Sequence, residues 1–155
     1  MDPMTILAVD PGLSGAYVVM DDDTTVVDIG DLPTVAKDID GAALARMIRN
    51  YAPRLAIVER VASMPKQGVA STFRFGLSTG VVHGVIQALD VPLMLVTPQL
   101  WKKYFRLGPD KEKARLLAVQ RFPDCAALTR KKDHGRAEAL LIALWHNEAQ
   151  HREAQ

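Results

Sequence analysis

Cysteine is almost absent from this chain of 155 residues, with Cys125 standing alone. A lone thiol excludes an internal disulfide and any zinc site built on cysteines. It fits a reducing, intracellular setting. Long apolar runs are missing as well. None approaches the ~18 residues that a membrane-spanning helix needs. The first residues also lack the basic stretch, apolar stretch and cleavage site of a secretory leader. A strong net charge is the third absence, since 19 basic against 18 acidic residues leave only +1. What remains is a composition with 48% hydrophobic and 24% charged residues, which excludes disorder as the default state. The length is that of one domain, expected over residues 1–155, and suffices to bury a core.

The near-neutral balance hides an asymmetry. Residues 1–59 hold 10 acids and 4 bases, whereas residues 98–136 hold 11 bases and 4 acids. An acidic half joined to a basic stretch reads either as two solvated faces or as a carboxylate-rich site beside a polyanion-binding surface.

Residues 4–10 read as a buried strand that ends in Asp10 and is broken by Pro11-Gly12. Residues 16–20 and 24–30 read as two further strands, joined by the turn Asp21-Asp22-Asp23. Leu44, Met47, Ile48 and Tyr51 repeat with helical spacing over residues 42–51. Residues 55–59 form a short apolar strand that again ends in an acid, Glu59. A loop over 61–71 precedes a helix over 72–89, a strand over 92–96, a short helix over 97–105 and a helix over 110–122 capped by Asp110. A loop over 123–132 leads to a last helix from Asp133 to about residue 149. This order predicts an α/β fold: an antiparallel meander followed by βαβα units, in one mixed sheet flanked by helices.

Three groups of acids sit at element ends. Asp10 and Glu59 would leave the same edge of the sheet if their strands lie parallel and adjacent. Asp133 and Glu138 open the final helix, and Glu138 enters the apolar run Ala139-Leu140-Leu141-Ile142-Ala143-Leu144. Taken singly, each acid reads as a solvated strand or helix end. Converging, they would repel one another unless a divalent cation intervenes, and oxygen ligands suit Mg²⁺ or Mn²⁺. Two such ions support phosphodiester hydrolysis. Positions 133 and 138 lie about 140° apart on an ideal helix, so Asp133 can share a metal with Glu138 only from outside the regular helix. His134 lies on the face of Glu138 and is an alternative ligand or base.

Basic and aromatic residues border these acids. Lys66, Gln67 and Gly68 lead into Phe73-Arg74-Phe75. Two residues apart on a helix, the phenylalanines cannot both face the core, and the outward one is placed to meet bases. Lys102, Lys103, Arg106, Lys111, Lys113 and Arg115 fall near two helix starts, with Trp101 and Tyr104 among them, and read either as phosphate contacts or, for most, as solvated surface charges. Arg130-Lys131-Lys132 immediately precedes Asp133. Gly76, Gly80 and Gly84 recur every four residues, at about 1 kcal/mol each relative to alanine. The stripe implies a close backbone approach, either on the sheet or at another helix.

Taken in order, these pieces resemble the RuvC-type Holliday junction resolvases of the RNase H-like superfamily, nearest the phage and plant-organelle branch. The matching segments are Val9-Asp10-Pro11-Gly12 with Ser14-Gly15; Val58-Glu59; Met64-Pro65-Lys66-Gln67-Gly68 through Phe75-Gly76; Thr97-Pro98-Gln99 through Trp101-Lys102-Lys103; Asp110-Lys111; and Lys131-Lys132-Asp133-His134-Gly135-Arg136-Ala137-Glu138-Ala139. The resemblance implies an RNase H-like fold with a five-stranded mixed sheet, and a homodimer whose interface follows Gly76, Gly80 and Gly84. It also implies nicking of four-way DNA junctions with two Mg²⁺ ions per site, Mn²⁺ being possible, in the cytoplasm of a bacterium or a phage-infected host. It casts Asp10, Glu59, Asp133 and Glu138 as catalytic metal ligands. Lys66, Gln67, Phe73, Arg74, Phe75, Lys102, Lys103, Lys111 and Lys132 become DNA contacts. Bacterial housekeeping members space their last two ligands three apart, which would select Gly135 here, so Asp133 and His134 both stay open. Two other classes compete: a non-cleaving branched-DNA-binding module on the same fold, and an ATP-handling fragment of the actin-like superfamily.

Overall fold

The computed structural model describes residues 3–62 and 65–155. Ser63 and Met64, which belong to the loop after Glu59, lie outside the described residues. Five strands form the main sheet: β1 (Thr5–Asp10), β2 (Ala16–Asp21), β3 (Val26–Asp31), β6 (Leu55–Glu59) and β7 (Leu93–Val96). Their order across the sheet is β3-β2-β1-β6-β7. The first three form the antiparallel meander, and β1, β6 and β7 run parallel. The helices are α1 (Gly41–Tyr51), α2 (Val69–Ala88), α3 (Pro98–Tyr104), α4 (Lys111–Arg121) and α5 (His134–Glu153).

Strand alternation sorts the core into two halves. Ile6, Ala8, Val18, Met20 and Ile57 face one side of the sheet, where α5, α3 and α4 cover them. Leu7, Val9, Val19, Ala56 and Val58 face the other, under α1 and α2. Asp10 shares its parity with Ile6 and Ala8, and Glu59 with Ile57. Both acids therefore leave their strands on the α5 side. Val9 pairs with Val58, so the two strand ends stand level.

Helix α5 is buried almost all round over its middle, from Ala137 to Asn147. It lies on β1 and β2 and beneath α4. Ala137, Ala139 and Ala143 allow this close approach on two sides. Arg136 ties the helix start to β3 through two bonds to Asp31, at 2.8 and 3.1 Å, and to the Ala127 carbonyl at 3.2 Å.

Several boundaries differ from the sequence reading. Helix α2 begins at Val69, three residues before Thr72, because Thr72 does not cap it. Its hydroxyl donates to the Gly68 carbonyl from inside the first turn instead. The third strand starts at Val26, since Asp21 Oδ1 draws the N–H groups of Asp23 and Thr25 into a tight turn. A small hairpin, β4 (Thr34–Val35) with β5 (Asp38–Ile39), was not anticipated. Its turn residues Ala36 and Lys37 take positive φ without the glycine or asparagine that would signal it.

The turn after Asp10 leaves no room for side chains. Gly12 has φ +122°, with the Phe75 ring 3.4 Å from where a Cβ would stand. A Cβ on Gly15 would lie 2.1 Å from the Asp10 carbonyl oxygen, a backbone atom that cannot yield. Gly15→Ala is expected to cost at least about 2 kcal/mol, measured by urea unfolding. An unchanged midpoint would show that the turn is looser than described.

Candidate metal centre and nucleic-acid interface

Three of the four candidate acids meet. Carboxylate oxygens of Asp10, Glu59 and Glu138 lie within 4.8 Å of one another. They come from β1, β6 and the first turn and a half of α5, each anchored in the core. Together they floor a cleft of about 500 Å³ whose rim carries His134, Lys111, Arg74, Gln67 and Phe75. An all-oxygen trio of like charges fits a hard divalent cation such as Mg²⁺ or Mn²⁺, and it is poorly suited to standing alone.

The protonation behaviour expresses that strain. Burial, reinforced by the negative charges of Glu138 and Glu59, holds the Asp10 carboxyl well above the usual carboxylate range, with Lys111 pulling against it. Burial raises Glu59 as well. The Trp101 N–H and the cations Lys102 and Lys111 oppose that rise, while Glu138 adds to it.

Asp133 is not brought into this group. It caps the start of α5 but turns its carboxylate toward Arg130. The Arg130 backbone N–H donates to it at 2.8 Å and the guanidinium at 2.8 to 3.2 Å. Arg136 stands 3.8 Å away. These bonds hold the Asp133 carboxyl below the usual range. In the basic loop that borders the site, Arg130 thus spends its guanidinium on Asp133, although half of its side chain stays exposed. His134 lines the cleft, and its buried Nδ1 has no hydrogen-bond partner among the described residues. Gly135, the position three before Glu138, has its Cα hydrogen aimed at Asp10, where a Cβ would stand 3.4 Å from Oδ2.

The phenylalanines separate as their spacing requires. Phe73 is 70% exposed, while Phe75 is half-buried against Gly12 in the cleft wall. Lys66 is exposed at the tip of the loop, with φ +68°. Lys102, Lys103 and Arg106 line a second depression of about 800 Å³ beside α3. Lys111, Lys113 and Lys132 are exposed. Arg115 is instead engaged internally, by Glu112 at 2.6 Å and the Leu128 carbonyl at 2.9 Å. The glycine stripe on α2 does not pack on the sheet. Among the described residues, nothing lies within 4 Å of the Cβ positions of Gly76, Gly80 or Gly84.

One partner within the site escaped the sequence reading. The indole N–H of Trp101, on α3, donates to Glu59 Oε2 at 2.8 Å. The available signal was a tryptophan just after β7, the strand beside Glu59, since a buried indole requires an acceptor.

This architecture is similar to that of solved Holliday junction resolvases. Thermus thermophilus RuvC in complex with a Holliday junction superposes with a TM-score of 0.73 at 18% identity, covering 95% of both chains. The fowlpox virus Holliday junction resolvase gives 0.61 at 17% identity, covering 94% of this chain and 99% of its own. The yeast mitochondrial Holliday junction resolvase gives 0.59 at 16% identity, covering 97% and 83%. At such identities the likeness establishes the fold. No family model matches the sequence, and no curated protein matches it.

The opposed carboxyl shifts set a pH dependence in metal-free protein. Asp10 and Glu59 hold protons more tightly folded than unfolded, so they cost stability as pH rises past their ordinary values of 3.8 and 4.5. Asp133 does the reverse: its contribution is complete above 3.8 and is lost as pH falls through its lower folded value. In EDTA the melting temperature is expected to peak at mildly acidic pH and decline toward neutrality, with Asp10→Asn flattening the decline. A melting temperature that climbs steadily to pH 8 would contradict the crowding of acids.

Proposed function

We propose that this chain is a structure-selective DNA endonuclease that resolves Holliday junctions by paired, symmetric phosphodiester hydrolysis in the presence of Mg²⁺ or Mn²⁺. The observation that carries the reading is the meeting of Asp10, Glu59 and Glu138 at one rim of the sheet, bordered by Lys111 and Arg74. The fold shared with solved Holliday junction resolvases supports it. A pure binding module would gain nothing from three acids set beside DNA phosphates.

Asp10, which meets both other acids, would hold both ions. Glu59 would hold one, and Glu138 the other. His134 is the better additional ligand in this arrangement, because its Nδ1 is unpartnered while the Asp133 oxygens are engaged by Arg130. When bound, the ion pair supplies an activated water and charge stabilisation at the leaving oxygen. The chain's own groups do the rest. Lys111, at the cleft mouth, neutralises the scissile phosphate. Arg74, Gln67 and Lys66 take the backbone on one side of the cleft, and Lys102, Lys103 and Lys132 take it on the other. Phe73, projecting into solvent, is placed to wedge into the unstacked branch point, and Phe75 keeps the cleft wall rigid.

Paired nicks require two clefts. Helix α2 borders the cleft through Arg74, Phe75 and Ser78, and on its outer side it exposes Leu77 and the three open glycines. A second copy packed on that side would set two clefts symmetrically about a junction.

Asp10→Asn is expected to retain junction binding while cleavage in Mg²⁺ falls by more than about a hundredfold, since even partners one step removed from a metal cost 10–100-fold. A labelled four-way junction and a matched duplex, incubated side by side, check both halves. Near wild-type cutting would sink the site assignment. Gly80→Arg is expected to give a monomer by sedimentation and to abolish paired nicking. A variant that stays dimeric would move the interface elsewhere.

A further inference from the structure

Trp101 is fully buried, and its N–H bond to the Glu59 carboxylate lies inside the core rather than in the cleft. An indole nitrogen donates one hydrogen and accepts none. Phenylalanine would fill most of the same space, so the donor is what distinguishes tryptophan here. The bond engages Oε2 from the core, while the Glu59 side chain also lines the cleft. It also fixes a carboxylate that would otherwise turn about its own Cγ–Cδ bond. The next residue reinforces the donor. Lys102 Nζ stands 5.4 Å from the centroid of the Trp101 ring, and a cation over the ring draws its electron density outward. Helix α3 thus holds a cation on its outer side and a hydrogen-bond donor on its inner side, through adjacent residues.

We propose that Trp101 is a positioning residue, whose indole N–H locks Glu59 so that its free carboxylate oxygen faces the divalent cation. This rests on the reading of Asp10, Glu59 and Glu138 as metal ligands. Groups that orient a ligand in this way commonly set metal affinity as strongly as they set activity.

The test is calorimetric titration of Mn²⁺ into the full chain without DNA. Trp101→Phe is expected to weaken binding by about tenfold or more. Trp145→Phe, at the other tryptophan of the chain, also buried in this core, is expected to stay within about twofold of wild type, as a change in packing alone would. On a Glu59→Gln background the Trp101 substitution is expected to add little further loss. A second measurement needs no substitution at Trp101: Mg²⁺ should shift the Trp101 indole N–H resonance in the wild type while leaving that of Trp145 in place. If wild type binds metal and Trp101→Phe binds it equally, or the Trp101 resonance does not move, the positioning role is overturned and the metal site stands. If wild type binds neither cation, the metal reading falls and takes this inference with it.

Discussion

Three carboxylates crowded at the end of two parallel strands and one helix form the interaction around which this protein is organised. Each is carried by a rigid, buried element, so none can swing away to relieve the repulsion. The cost is visible in the raised proton affinities of Asp10 and Glu59. Everything nearby answers it: Lys111 at the mouth, the Trp101 N–H behind Glu59, and a cleft open enough to admit cations. A fold that spends stability on such a cluster needs it tightly held elsewhere, and the core on both sheet faces provides this.

Helix α5 transmits that rigidity. Its small residues let it lie between the sheet and α4, which fixes the height of Glu138 above Asp10. At its start, Arg136 reaches Asp31 on the edge strand, and Arg130 closes on Asp133. The acidic first half and the basic later half of the chain therefore meet in the ion pair of Arg136 with Asp31. The bases that remain outside, chiefly on α3, the start of α4 and the loop before α5, form the surface suited to phosphates.

Helix α2 divides its duties by face. Ser78, Val82 and Ile86 are buried. Phe75 and Arg74 belong to the cleft, and Phe73, Leu77 and the glycines face outward. A helix so poor in polar residues on its outer side is the natural place for a contact that the single chain does not contain. Two phenylalanines only two positions apart take opposite fates for a purely geometric reason, the 200° that separates them on a helix.

Much of this was legible without coordinates. Two buried strands that each end in an acid indicated that Asp10 and Glu59 would share one edge of the sheet if the strands ran parallel and adjacent. The order of elements implied the mixed sheet, and the apolar run after Glu138 announced a buried helix that needed a charged partner at its start. The hairpin at residues 34–39 was invisible because its turn uses alanine and lysine. The fate of Asp133 was undecidable for a deeper reason: helical spacing permitted a position off the helix, and only the Arg130 guanidinium three residues back determined where the carboxylate turned. Trp101 meeting Glu59 across 42 positions was beyond any pattern. A chain's local periodicities decide which way each side chain leaves its own element. What it then touches depends on how far apart the packed elements come to rest, and that distance is set by the whole core.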